Sequence, residues 1–372
     1  MSEPYRVAVI GSSGRGNYGH GMDTVWQHIT QAKIVAVADD QPEGLAKAME
    51  RLQPEQGFGD YRKMLTEIKP DIVSICPRWI DQRHDMVLMA AAEGVKGIYL
   101  EKPLCRTLEE ADAMIAACQT NNVKVAVAHQ TRYSPILAVI YRMIHEGRIG
   151  QLLEIRVRGK EDQRGGGEDL WVLGTHVLNL MHYLGGEAQW CFASVNSDGQ
   201  SADASHVQEG NEGIGPILGD QIQAMYGLDN GVMGYFNSVR NARAEPSRFG
   251  IKIYGTKGIL AMNTGYLPSA GWLPDASWTP SRTGKRWVQV SSSGPGQPET
   301  LKDGGLQAGN LLACQDLIAA IEDNRAPESS IEEARLTTEM IASVYESHRL
   351  GKKVYLPLQN RKNPLKDRKS VV

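Results

Sequence analysis

Three apolar residues with strand character, Ile98-Tyr99-Leu100, run directly into Glu101-Lys102-Pro103. A strand that ends this way sets a charged pair at the carboxyl edge of a sheet, where open α/β folds bind ligands. Proline stops the strand and fixes the backbone, so the lysine is aimed. The plainer alternative is a surface salt bridge at a strand end, and the rest of the chain decides between the two. Upstream, the apolar run Arg6 to Ile10 is followed at once by Gly11-Ser12-Ser13-Gly14-Arg15-Gly16, then by Met22, Val25, Trp26 and Ile29 at helical spacing. Strand, glycine turn and helix together suit a dinucleotide pyrophosphate, whose charge is met by free N–H groups at a helix N-terminus. Ser13 stands at the second glycine place, where its hydroxyl can still donate to phosphate, and Gly14 keeps the loop open. The next apolar run, Ile34 to Ala38, ends at Asp39, about 20 residues beyond the turn, where a ribose-binding acid is expected. Asp39 and Asp40 would accept from a 2′-hydroxyl and repel a 2′-phosphate, which favours NAD over NADP; Arg15 is the nearby group able to pair with an extra phosphate. Alone, Asp39 would read as the cap of a helix starting at Pro42-Glu43. Further on, Gly165-Gly166-Gly167 precedes Gly174-Thr175-His176, and Val172 to Leu184 reads as one helix. On it Val172, His176 and Asn179 lie at spacings of four and three and share a face. A solitary histidine on an apolar helix is more often a core residue; here Lys102, the glycines and Asn179 argue for function.

The elements that must position these residues alternate. After the strand ending at Asp39 come a helix at Tyr61 to Ile68 and a buried strand at Asp71 to Cys76. A helix at Asp85 to Glu93 follows, then the strand ending in Glu101. The next helix, Leu108 to Thr120, is introduced by a Thr107/Glu110 capping box, and a strand follows at Val123 to Ala128. Such alternation predicts a doubly wound parallel sheet, a Rossmann domain over residues 1–128. Beyond Ser134 the grammar changes. After a helix at Pro135 to Glu146, strands are predicted at Leu152 to Lys160, Gln189 to Asn196, Gln221 to Leu228, Gly231 to Val239, Phe249 to Tyr254, Ile259 to Met262 and Arg286 to Val290. Asp229-Asn230-Gly231 is a hairpin signal. Helices return at Leu306 to Glu322 and Ile331 to His348, which makes 129–372 an α+β domain. Long loops are expected at Ser197 to Gly219 and Pro268 to Gln307.

Bulk properties exclude several classes. The 372 residues suit two domains, and 40 basic against 43 acidic residues give no drive toward nucleic acid or an anionic membrane. Five cysteines, none in a Cys-x-x-Cys pair, point to free thiols in a reducing compartment rather than a disulfide framework or a zinc site. No run approaches membrane-spanning length and no signal-peptide core follows the N-terminus, so a cytoplasmic protein is expected.

Taken together, these motifs resemble the Gfo/Idh/MocA oxidoreductases, the family of glucose–fructose oxidoreductase and inositol dehydrogenase. The residues that carry the resemblance are the Rossmann opening, Pro77 with His84 after the third strand, Glu101-Lys102-Pro103, His129 to Pro135 (HQTRYSP), and the triglycine followed by Gly174-Thr175-His176. The resemblance covers nearly the whole chain. It implies NAD(P)-dependent oxidation or reduction of a sugar, cyclitol or related polyol. It also implies a second domain built on a large open, mostly antiparallel sheet that often serves as an oligomer interface, hence a homodimer or homotetramer. Carried over, it places Lys102 near the reacting carbon and the nicotinamide ribose, Glu101 near that ribose, and Cys76, Pro77, His84 and Arg132 along the cofactor. Tyr133, Asp169, Trp171 and Asn179 join Lys102, Arg132 and His176 around the substrate. The family commonly has a carboxylate where this chain has Val172, and an acid where it has Asn179. Asp169 is the nearest substitute, with Glu161, Asp162 and Glu168 flanking the triglycine. In the implied mechanism Lys102 polarises the substrate oxygen and His176 acts as acid/base; a nearby nicotinamide lowers the lysine's pKa while Glu101 raises it. Two other readings remain: an NAD-dependent glycosidase working through transient oxidation at C3 and elimination, for which the missing carboxylate and long loops make room, and a non-catalytic dinucleotide-binding regulator.

Overall fold

The computed structural model describes residues 3–366. The chain forms two compact units: one built from residues up to Gln130, Asn211–Ile214 and Leu306–Arg335, the other from Thr131–Gly210, Gly215–Gly305 and the chain from Leu336 onward. In the first unit β1 (Tyr5–Ile10), β2 (Ala32–Ala38), β3 (Gln56–Phe58), β4 (Ile72–Ile75), β5 (Gly97–Leu100) and β6 (Lys124–Val127) form one sheet in the order β3-β2-β1-β4-β5-β6. Every pairing is parallel. The intervening helices are α1 (Pro42–Leu52), α2 (Tyr61–Ile68), α3 (Arg83–Ala92) and α4 (Leu108–Thr120). Parallel strands flanked by crossover helices are covered on both faces, so they read as unbroken apolar runs; Val7 to Ile10 and Ile72 to Ile75 are buried at every position. Strand order reverses between β1 and β4, and the crevice beyond the strand ends at that reversal is where such sheets take ligands.

Two local expectations fail here. No α-helix follows the glycine turn. The chain runs through turns into a single 3-10 helix at Thr24–His28, because Asn17, Gly19 and Gly21 adopt left-handed φ of 52°, 64° and 78°. Met22, Val25, Trp26 and Ile29 are all buried, so their spacing records burial in a curled loop. An anion at this turn would meet loop N–H groups and no helix dipole. The capping box at α4 is half formed: Thr107 accepts from Glu110 N, but the Glu110 carboxylate turns to Arg106, taking its backbone N–H and its guanidinium.

In the second unit α5 (Pro135–His145) leads into β7 (Leu152–Arg158). β7 joins a mixed, mostly antiparallel sheet whose strands run in the order Gly294–Pro295, Val288–Ser291, Ala270–Leu273, Gly258–Asn263, Gly250–Gly255, β7, Met233–Val239, Gln221–Leu228, Ala188–Ser197 and Val354–Tyr355. Only the β7 pairing with Met233–Val239 is parallel in this path. The hairpin predicted at Asp229-Asn230-Gly231 is present. Pro268 to Gln307 is not one long loop, since it supplies three strands to the sheet edge and the start of the Gly305–Glu322 helix. The helix expected from Val172 is two helices, α6 (Gly167–Val172) and α7 (Gly174–Gly185), broken at Leu173. Among the described residues no helix is long and apolar enough to cross a membrane.

Candidate active site

In the first unit, β5 ends at Leu100 and delivers Glu101 and Lys102, both buried, to the carboxyl edge of the sheet; the Lys102–Pro103 peptide is cis. Glu101 Oε2 accepts from the Lys102 N–H at 3.1 Å, while Oε1 is buried with no hydrogen-bond partner. A buried carboxylate oxygen without a partner carries a cost of about 1–3 kcal/mol or more, which a hydroxyl donor on a bound ligand would relieve. A fully buried arginine that the sequence motifs did not single out, Arg83 at the start of α3, holds the segment in place. Its guanidinium donates to Pro103 O, to Pro77 O at 2.6 Å and to Arg78 O at 3.4 Å. Burial pulls its pKa down to about 10, against the opposing pull of Glu101. A cation in the first turn of a helix opposes the macrodipole, and that local misfit was the available signal.

Asn310, on the Gly305–Glu322 helix, ties this edge to the glycine loop. Its Oδ1 accepts from Tyr99 OH (2.8 Å) and Gln130 Nε2 (3.1 Å), and its Nδ2 donates to His20 O (2.8 Å). Along the rest of the crevice, Cys76 and Pro77 are buried, and burial raises the Cys76 thiol well above its usual range. His84 is half-buried and pairs with Asp85 through Nδ1 at 2.8 Å. Arg15 is ion-paired with Asp81 and lies over the Trp79 ring at 4.7 Å. Asp39 is buried, with its carboxylate taken by Ser13, Tyr18 and Gln41, whereas Asp40 is exposed and accepts from Ser12 Oγ at 3.4 Å. Gly11, Ser12, Asp39 and Asp40 line a cavity of about 330 Å³ together with Tyr61 and Arg62. Gly14 faces open space. These residues fit a dinucleotide: an open glycine turn, acids at the ribose end and an orphan acceptor beside Lys102.

In the second unit, α7 carries His176, half-buried and edge-on to Phe249 with centroids 6.4 Å apart. One turn on, Asn179 is fully buried. Its Oδ1 accepts from Arg132 at 3.3 Å and its Nδ2 donates to Thr337 Oγ1 at 3.1 Å. Arg132 also lies over the Tyr183 ring at 3.8 Å. Asn179 therefore orients Arg132, and Tyr133 sits half-buried beside it in the same 3-10 turn.

Besides Asn179, two more of the residues expected around the substrate are internal. Trp171 is 1% exposed and packs in the core. Asp169 is 0% exposed and ties down the segment after β7, accepting from Lys160 N, Glu161 N and Ser238 Oγ at 3.2, 3.1 and 2.5 Å. Burial raises its pKa despite those hydrogen bonds. Glu161 and Asp162 are likewise paired, with Arg158 and Arg164 respectively. None of these three acids stands free to replace the carboxylate absent at Val172, which is itself 3% exposed. The triglycine has a packing cause. A Cβ on Gly165 would meet Arg240 Cα at 2.3 Å, and one on Gly166 or Gly167 would meet the carbonyl of Gly219 or Leu218 at 2.5 Å.

Comparison with known proteins accords with this layout. A levoglucosan dehydrogenase from Pseudarthrobacter phenanthrenivorans is 30% identical over 255 residues, covering 61% of this chain and 64% of that enzyme. A D-apiose dehydrogenase from Paraburkholderia graminis is 29% identical over 196 residues, 49% of this chain and 50% of that enzyme. The matched stretch thus spans less than two thirds of either relative. Among solved structures, levoglucosan dehydrogenase in complex with NADH and levoglucosan superposes with a TM-score of 0.76 at 23% identity, covering 95% of this chain and 100% of that one. An Agrobacterium radiobacter oxidoreductase in complex with NAD+, L-tartaric acid and magnesium gives 0.71 at 18%, covering 94% and 98%. At such identities these two show the fold. Residues 5–129 match the model of the Gfo/Idh/MocA oxidoreductase family's NAD-binding Rossmann fold, and residues 138–261 match the companion C-terminal domain. With both models matched in the order of the motifs, the chain belongs to the Gfo/Idh/MocA family.

Proposed function

We propose that this protein is an NAD-dependent oxidoreductase that transfers a hydride between nicotinamide and a hydroxyl carbon of a sugar, cyclitol or sugar derivative. The observation that carries the reading is the strand end: a buried lysine beside a buried carboxylate with an orphan oxygen, at the ligand edge of a Rossmann sheet. When bound, the nicotinamide supplies the hydride chemistry, and the chain supplies orientation and a proton path. Glu101 Oε1 accepts a ribose hydroxyl. The Lys102 ammonium polarises the oxygen that is oxidised, and His176 takes its proton. Arg132, braced by Asn179 and Tyr183, contributes fixed positive charge within its own unit, and Tyr133 lies in the same 3-10 turn. Gly11, Ser12, Ser13, Gly14, Arg15 and Gly16 form the turn for the pyrophosphate, and Cys76, Pro77 and His84 border the crevice. Support for a sugar substrate comes from the relatives, a levoglucosan and a D-apiose dehydrogenase.

The test is to incubate the protein with NAD and a panel of anhydrosugars, aldoses, cyclitols and aryl glycosides, following both NADH and released aglycone. NADH formation is expected with at least one unsubstituted sugar or cyclitol; aglycone release without NADH would replace the dehydrogenase with a glycosidase. Lys102→Ala should abolish turnover while NAD still binds, and wild-type turnover in that variant would overturn the proposal.

A further inference from the structure

We propose that the tip Asn211–Ile214 is a clasp on the loop after β4, and that its release sets how fast the dinucleotide enters and leaves. The proposal rests on the dinucleotide reading above. At the reversal of strand order the crevice has two lips: the glycine turn that follows β1, and residues 77–81, which follow β4. The lips are joined. Arg15 reaches from the first to the second, ion-paired with Asp81 and lying over the Trp79 ring at 4.7 Å. A Cβ on Gly16 would fall 2.5 Å from Arg78 N, so the two backbones touch. A dinucleotide seated on the glycine turn lies against both lips, and its exchange requires that they part.

On its inner side the second lip is held by Arg83, which donates to Pro77 O and Arg78 O. Its outer hold is the tip, which belongs to the same unit although the residues on either side of it in the chain belong to the other. Glu212 O accepts from Ile80 N at 3.0 Å, and Glu212 Oε1 lies 3.7 Å from Arg78 Nε. A Cβ on Gly213 would meet Asp81 Cβ at 3.1 Å, so the tip's backbone rests on the side chain that holds Arg15. Ile214, fully buried, is the tip's apolar anchor.

These holds are individually weak, which suits a clasp. One is a single backbone hydrogen bond, and another is an ion pair whose side chains are 38% and 19% exposed, a kind that contributes little. The closed tip is also strained. Glu212 has a left-handed φ of 57° and Gly213 follows at 69°; a non-glycine residue occupies that region only where its surroundings impose it. Gly210 and Gly215 form the neck, the Gly210 N–H donating to Gly215 O at 2.9 Å, and the absence of side chains at both ends leaves the backbone there easy to turn. Segments held in this way open at little expense and serve as gates. Every one of these holds joins protein to protein. The clasp therefore moves association and dissociation rates together and leaves the dissociation constant in place, whereas losing a coenzyme contact acts on dissociation and affinity alike.

Stopped-flow fluorescence of NADH with the full chain gives both rate constants, and is paired with calorimetric affinity and thermal melting. Gly213→Val sets a β-branched side chain at a φ of 69° against Asp81. It is expected to raise both rate constants about tenfold, with the dissociation constant within about twofold of wild type. Glu212→Ala removes the exposed ion pair and is expected to raise both about threefold. Wild-type rates in these variants would overturn the proposal. So would a dissociation constant that weakens in step with the dissociation rate, because the tip would then be part of the binding surface. Should Gly213→Val fail to fold, Glu212→Ala carries the test. Failure of the wild-type protein to bind NADH at all would refute the dinucleotide reading itself, and the clasp with it.

Discussion

Arg83 offers the sharpest test of how the reacting edge is held. Replacing it with Met keeps the buried stem and removes the guanidinium that bridges Pro103 O and Pro77 O. Each carbonyl then loses a charge-assisted donor inside the protein, at about 1–3 kcal/mol apiece. Relief from burying a cation offsets part of that sum, since burial already pulls the group's pKa down to about 10. The net expectation is about 2–4 kcal/mol of lost stability. The functional effect is larger. Pro103 follows Lys102 directly, and a shift of about 1 Å at a reacting group costs on the order of 10²-fold in rate. Arg83→Met should therefore lower kcat by about that factor while NAD affinity, measured by calorimetry, changes little. Arg83→Lys should fall between, because a point-like ammonium cannot span both carbonyls as the planar fork does. The reasoning is refuted if Arg83→Met melts and turns over like wild type.

Three further outcomes follow from the same geometry. Ser238→Ala deprives Asp169 Oδ2 of its 2.5 Å donor and should cost about 1–3 kcal/mol, read from urea unfolding midpoints. Asn310→Ala leaves Tyr99 OH and Gln130 without their buried acceptor and should destabilise by about 2–4 kcal/mol, with the loss seen in the same unfolding curves. Glu299 is held down to about 2 by the Ser292 hydroxyl and by the N–H groups of Ser292 and Leu301. A depressed carboxyl stabilises above its unfolded value near 4.5 and loses that contribution as pH falls toward 2. The melting deficit of Glu299→Gln should accordingly be full at pH 7 and shrink between pH 4.5 and 2.

The parallel sheet was legible in the sequence because a strand covered on both faces must be apolar throughout, and Glu101-Lys102 stood out as charge at the end of such a run. Asp229-Asn230-Gly231 was legible for a comparable reason, since only turn-forming residues break the alternation there. What spacing could not report was backbone conformation. Met22, Val25, Trp26 and Ile29 are buried at helical intervals without an α-helix, and the break at Leu173 is marked in sequence by nothing beyond Gly174, which a continuous helix would also tolerate. Nor could composition tell which carboxylates are occupied. Asp169 and Asp39 look available in sequence, yet their donors, Ser238 and Tyr18, lie 69 and 21 residues away. Arg83 illustrates the same limit, because its acceptors come from two separate loops.

The Gly305–Glu322 helix adds a consequence for how the protein is made. Asn310 completes the hydrogen bonds of Tyr99, Gln130 and the His20 carbonyl, all in the first 130 residues of a unit that takes in Leu306–Arg335. During synthesis those early groups wait, with buried partners missing, while the whole intervening strand-rich stretch leaves the ribosome. The nucleotide-binding half begins the chain but is finished near its end, so a nascent protein cannot complete the lysine's edge before all but the Val354–Tyr355 strand of the other unit's sheet has been made.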